Sequence, residues 1–183
     1  MASRKSLTFP SGESPDYWNP NPEHKDHRFA LGRVLTPTRS RNPLVVIAMN
    51  PSYADHSESD KTVNTVIAAS STLGHDGWIM LNLYPERATK PSDLGAFDAG
   101  LWARNWTVIE EVLDTFEVKE VLGAWGNPPN QTIREALKRT RSALHARSTR
   151  SYHFGDLTTL RSPRHPTPHG GVWDLSGPKR YLS

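Results

Sequence analysis

Leu44 to Met49 reads LVVIAM, an unbroken apolar run rich in β-branched residues, and it ends abruptly at Asn50-Pro51. A run this short and this apolar, entered through Asn42-Pro43, is the pattern of a strand buried on both faces, as in a parallel sheet covered by helices. Pro51 has no N–H to give a strand ladder, so the chain must turn there, at the carboxyl end of the strand. In open α/β sheets that end is where ligands bind. The loop that follows carries Ser52, Tyr53, Asp55 and Asp60 and forms the candidate wall of a site. The plainer alternative is a strand-to-helix turn closed by an Asx cap.

The rest of the chain repeats the alternation. Trp78 to Leu83 is a second apolar run, ending in a polar loop with Asn82, Glu86, Arg87 and Thr89. Val118 to Ala124 is a third, ending in Trp125-Gly126-Asn127-Pro128-Pro129. A fourth strand is expected within Tyr152 to Leu160, and a short one within Phe29 to Leu35. Between the runs lie helical periodicities. Lys61 to Leu73 puts Val63, Val66, Ile67 and Ser70 on one face, with Gly74 as C-cap. A long amphipathic segment capped by Ser92 or Asp93 extends to about Phe116. Residues 131–146 form a basic helix with Ile133, Leu137 and Leu144 inward. This order predicts an α/β fold, a three-layer α/β/α sandwich around a central, mainly parallel four-stranded sheet. The loops that follow the strands would then bring Asn50, Asn82, Trp125-Gly126 and His165 to one edge. Residues 1–27, polar and punctuated by Pro10, Pro15, Pro20 and Pro22, read as an extended or disordered arm. Residues 28–183 read as a single domain.

Composition narrows the chemistry. The chain has no cysteine, which removes disulfides, thiol nucleophiles and cysteine-held metal sites. It has no apolar run near the eighteen or so residues of a membrane span and no signal-peptide core, so no membrane partner and a cytoplasmic location are expected. Charge is unevenly spread: residues 1–129 hold 12 Lys+Arg against 16 Asp+Glu, whereas residues 130–183 hold 10 against 3. Arg134, Lys138, Arg139, Arg141, Arg147, Arg150, Arg161 and Arg164 supply most of that excess. A basic C-terminal third is what a phosphate-backbone partner requires; the alternative is a solvated helix face.

The four loops, in this order, resemble motifs of the uracil-DNA glycosylase superfamily. Met49-Asn50-Pro51-Ser52 is similar to the first motif of the mismatch-specific uracil/thymine glycosylases, and Leu81 to Leu94 (LNLYPERATKPSDL) to their second segment. Trp125-Gly126 and His165-Pro166-Thr167-Pro168 resemble the Trp-Gly and His-Pro-Ser-Pro loops of the uracil-specific branch. The whole pattern, with Asn50-Pro51-Ser52-x-Ala54-Asp55, Arg87-Ala88-Thr89, Ala124-Trp125-Gly126 and a late His-Pro, is closest to the bacterial and phage family called domain of unknown function 1643.

The resemblance implies a monofunctional DNA glycosylase that flips a modified pyrimidine out of DNA and hydrolyses its glycosidic bond, acting as a monomer without a cofactor or metal. Asn50 would position the attacking water and His165 would stabilise the departing base; the chemistry itself would let Asp55 or Asp60 steady the sugar cation, the alternative for both being a cap on the helix that starts at Lys61. Asn82 would read the base edge, and Tyr53, Asn64, Arg87 and Trp125 would complete the substrate-binding set. Thr167 and His169 would contact DNA, and the basic excess adds Arg139, Arg141 and Arg164 to that set. Ser52 stands where strict uracil enzymes place a bulky Tyr, which leaves room for a C5 substituent such as a hydroxymethyl or glucosylated hydroxymethyl group on cytosine; otherwise the substrate is a uracil or thymine mismatch. Two other readings remain open: a non-catalytic DNA-binding domain, and a metal-dependent hydrolase using His165 with His169 or His24 with His27. Pro166 and Pro168 prevent the first of those pairs from sharing a helix face.

Overall fold

The computed structural model describes residues 7–36, 38–166 and 173–182. Its elements are β1 (Tyr17–Asn19), β2 (Ala30–Arg33), β3 (Leu44–Ala48), α1 (Lys61–Thr72), β4 (Trp78–Asn82), α2 (Ala99–Thr115), β5 (Glu120–Ala124), α3 (Gln131–Ala146), β6 (Arg150–His153) and β7 (Arg180–Tyr181). The strands form one sheet in the order β1-β2-β4-β3-β5-β6-β7. The expected four parallel strands are its centre, β4-β3-β5-β6. The sheet has seven strands because antiparallel β2 and β1 extend the β4 edge and antiparallel β7 extends the β6 edge.

All five residues of β3 are buried, and alternation divides them between two cores. Val45 and Ile47 pack with Leu101, Val108, Ile109 and Val112 of α2 and with Ile133, Ala136 and Leu144 of α3. Leu44, Val46 and Ala48 pack with Val63, Val66, Ile67 and Ala69 of α1. Each fully buried Val, Leu or Ile contributes roughly 1.5–3 kcal/mol, so the continuous apolar run that announces β3 also joins the two cores.

Several boundaries differ from the sequence reading, each for a local reason. The third strand starts at Glu120 because the Val118 N–H returns to the Leu113 carbonyl, 2.8 Å away, and so belongs to the exit of α2. The fourth ends at His153, ahead of Gly155, whose φ of +65° turns the chain. Neither Ser92 nor Asp93 caps α2. They lie in a short 3-10 turn, and Asp98 does the capping, accepting from Gly100 N and Leu101 N. The stretch read as an arm contributes β1, and Glu13 accepts the Trp78 indole N–H at 3.0 Å. Leu7 forms an isolated bridge with Ser59. No helix among the described residues is long and apolar enough to cross a membrane.

Candidate functional site

Past Ala48 the β3–β4 ladder continues for two more bonds, Leu83 N to Ala48 O and Tyr84 N to Met49 O, so Asn50 sits at the tip of a held strand. Its Nδ2 donates to the Ala88 carbonyl at 2.9 Å and to the Pro51 carbonyl at 3.1 Å. The Ala88 N–H returns to Pro51 O at 3.0 Å, so the loops after β3 and β4 are tied together. Two carbonyl acceptors fix which end of the amide is nitrogen. The Asn50 Oδ1 is then the acceptor available to a water or ligand.

Beside Asn50 opens a cavity of about 560 Å³, with Ala48, Met49 and Met80 as its apolar lining. Ser52 and Tyr53 line it from the same loop, Asp60, Lys61 and Thr62 from the start of α1, and Thr89 from the loop after β4. His165 closes another side, and two glycines of β5 and its exit make that possible. A Cβ on Gly126 (φ +65°) would come 3.2 Å from the His165 Cβ, and one on Gly123 would come 2.9 Å from Pro163. The 162–166 loop therefore packs directly onto β5, which brings His165 to the cavity that Asn50 lines.

Four of the expected residues, Asn50, Ser52, Tyr53 and His165, thus share one cavity. Others are employed elsewhere. Asn82 is fully buried as the last residue of β4; its Nδ2 donates to the Arg28 carbonyl, and it does not reach the cavity. Trp125 is 2% exposed and borders a different groove, with Arg134, Leu160 and Arg161. Asn64 binds Ser59 Oγ and the Thr8 carbonyl, fastening the N-terminal stretch to α1. Asp55 lies in an adjoining outer pocket with Arg87. Burial would raise its pKa, but hydrogen bonds from Glu58 N, Ser57 N and Ser57 Oγ hold it below the ordinary carboxylate value. It is an ionised residue that closes its own loop, and it lines the outer pocket and not the cavity of Asn50.

Of the basic residues, Arg139 pairs with Glu135 and lies over the rings of Phe97 and Trp102. The Arg164 Nε donates to the Asp156 carbonyl. Arg141 borders the same groove as Trp125. Thr167 and His169 lie outside the described residues. Among the described residues no three His, Asp or Glu side chains are grouped to hold a metal ion, and the His24 Nδ1 is spent accepting the His27 N–H.

One residue on the cavity wall has no counterpart in the sequence reading. Arg28 is only 5% exposed, and its Nη1 donates to the Ala54 carbonyl at 2.6 Å. Arg87 brings Nη1 and Nη2 to the same oxygen, each at 3.2 Å. Arg28 N to Pro85 O and Arg87 N to Asp26 O extend the β2–β4 pairing and explain why the two side chains converge. Burial, with the Arg87 charge adding to it, pushes the Arg28 pKa down to about 10, while Asp60 and Asp55 pull it back. At neutral pH the guanidinium stays charged.

A family model described as "Protein of unknown function (DUF1643)" matches residues 28–167. No curated protein and no solved structure matches the chain.

Proposed function

The chain belongs to the DUF1643 family, and for it we propose a monofunctional DNA glycosylase that excises a modified pyrimidine and leaves an abasic site. The observation that carries the proposal is the placing of Asn50 and His165 on one nucleoside-sized cavity at the carboxyl edge of a parallel sheet. A base inside a duplex is out of reach, so it must be turned into such a cavity at a cost of a few kcal/mol. The Asn50 Oδ1 accepts a hydrogen bond from a water and aims its oxygen at the sugar C1′. The bond from C1′ to the base nitrogen breaks, its electron pair leaves with the base, and the water oxygen forms the new bond. The water supplies one proton to the base and retains the other as the sugar hydroxyl. His165 donates toward the base as it gains negative charge, which counts for most where water is excluded.

Ser52 and Tyr53 line the cavity together; the small Ser52 leaves room for a C5 substituent, such as a hydroxymethyl or glucosylated hydroxymethyl group on cytosine. The same reading takes the fold as a three-layer sandwich, with α1 on one face and α2 and α3 on the other. It takes the protein as a cytoplasmic monomer on single- or double-stranded DNA. Incubation with DNA carrying uracil, thymine mismatches or C5-modified cytosines, scored for alkali-labile sites, is expected to give release that persists in EDTA and is lost in Asn50→Ala. Absence of release from every substrate would leave a non-catalytic DNA-binding domain. That second reading is favoured by one observation, the groove beside Trp125 lined by Arg134, Arg141 and Arg161.

A further inference from the structure

We infer that the inner wall of the cavity is an anion subsite built on Arg28, and that the ligand it takes carries an oxyanion, a phosphate or a carboxylate. The inference is separate from the excision chemistry, since it concerns what is held and not which bond breaks. Its basis is a buried charge that no carboxylate pairs with directly, although Asp60 and Asp55 act on it from beyond ion-pair distance. Arg28 is 5% exposed and lines the cavity, yet neither it nor Arg87 forms an ion pair with a carboxylate among the described residues. Both donate to one neutral oxygen, the Ala54 carbonyl, and Arg87 reaches the neutral Tyr53 carbonyl as well, at 3.5 Å. The Arg28 Nε is wholly buried with no hydrogen-bond partner.

A guanidinium has five N–H donors in a fixed fork, and a shared carbonyl satisfies few of them. Leaving a buried charge so poorly matched is costly unless something binds it. The two acids nearby are partly committed elsewhere, and Asp60 itself stands on the cavity wall. Asp55 Oδ1 accepts from Ser57 and Glu58, and Asp60 Oδ1 accepts from Val63 N as the cap of α1. Lys61, exposed at the first position of α1, adds a second cation to the cavity wall. An oxyanion at Arg28 would receive charge-assisted, bidentate hydrogen bonds, and the remainder of its carrier would lie over Ala48, Met49 and Met80.

The two sources of such an anion, a nucleotide phosphate and a carboxylate on the base, are separated by three probes: 2′-deoxyuridine 5′-monophosphate, 5-carboxy-2′-deoxyuridine and neutral 2′-deoxyuridine. Their affinities are measured calorimetrically for the full chain at fixed ionic strength. At least one anionic probe is expected to bind about tenfold more tightly than 2′-deoxyuridine, and which one it is identifies the source. Arg28→Gln should erase that preference, and Lys61→Ala should weaken it about threefold without altering the unfolding midpoint. Equal affinity for all three probes would overturn the inference on the unaltered chain, whatever the variants do. A preference that survives in both Lys61→Ala and a folded Arg28→Gln would overturn it too. Should Arg28→Gln not fold, a preference unchanged in both Lys61→Ala and Arg87→Met places the anion elsewhere and overturns the subsite. Since no base release is read, a failure here is distinct from a failure of the glycosylase reading.

Discussion

Asn50 has two tasks, and substitution can separate them. Its Nδ2 holds the Ala88 and Pro51 carbonyls, while its Oδ1 is the proposed anchor for water. Asn50→Ala removes both, and is expected to cost about 1 kcal/mol of stability but ~10²-fold or more in single-turnover base release. Asn50→Asp keeps the shape but turns an oxygen toward two carbonyls, so it should destabilise more than Ala does, by about 1–3 kcal/mol. Unfolding midpoints measured beside rates decide between the tasks: a variant that loses stability and keeps its rate would reduce Asn50 to a loop tie. Gly126 offers a second check on the same geometry. Its φ of +65° is unfavourable for a side chain, and at 3.2 Å a methyl group would press His165 back by a few tenths of an ångström. Gly126→Ala should therefore lower stability by about 1 kcal/mol and slow release further by displacing His165. A stable variant with unaltered release would show that the Trp-Gly turn does not set the His165 position.

At the scale of elements, two aspartates fasten strand ends. Asp76 accepts from Ser40 Oγ, Arg41 N and Asn42 N just ahead of β3, and Asp16 accepts from Val34, Leu35 and Thr36 just after β2. Burial works against ionisation of both, but these hydrogen bonds outweigh it and leave each pKa below the ordinary value. A carboxylate depressed in the folded state adds stability that is complete above its unfolded pKa, about 4. That contribution is lost as pH falls through the folded value. The part contributed by these two carboxylates should thus be flat near neutrality and fall below about pH 4, and Asp76→Asn should be less stable at pH 7 and lose less in that acid range. An equal acid loss in the variant would remove Asp76 from the explanation.

The same scale shows what the sequence carried. The five-residue central strands, the α1 face and its Gly74 exit are written in apolar runs and helical spacing, which depend on neighbours a few residues apart. β1 and β7 span three and two residues, too short for any periodicity, and exist because β2 and β6 present edges to them. That Asn50 and His165 come to one cavity was legible because each stands beside a proline in a loop that follows a strand. Arg28 was not: a charged residue ahead of an apolar stretch reads as surface, and only pairing with the loop after β4 buries it. The burial of Asn82 was hidden for the opposite reason. Asn82 looks like a polar loop residue, yet it pairs in register with Ala48 and stays inside the sheet.

For the molecule as a whole, the basic C-terminal third divides into arginines bound to the fold and arginines open to a partner. Arg147 bridges Glu110 and Asp114 of α2, Arg150 pairs with Glu120, and Arg180 pairs with Asp156. Arg139 is held by Glu135 and two aromatic rings. Arg134 and Arg161 are exposed, form no side-chain ion pair among the described residues, and border one groove with Trp125 and the 66% exposed Leu160. If DNA is the partner, its backbone should follow that groove. Charge reversal at Arg161 or Arg134 is then expected to weaken DNA binding across sequences and reduce the salt slope by about 1 per residue. Arg139→Glu should leave the salt slope unchanged and instead cost roughly 0.5–1 kcal/mol of stability through the lost ring contacts. Affinity measured at several salt concentrations, with unfolding midpoints alongside, separates the two groups. Slopes that fall equally in all three variants would mean that net charge, and no particular path, governs binding. A slope that falls only in Arg139→Glu would move the DNA to the α2–α3 face and away from the cavity, and the excision reading would fall with it.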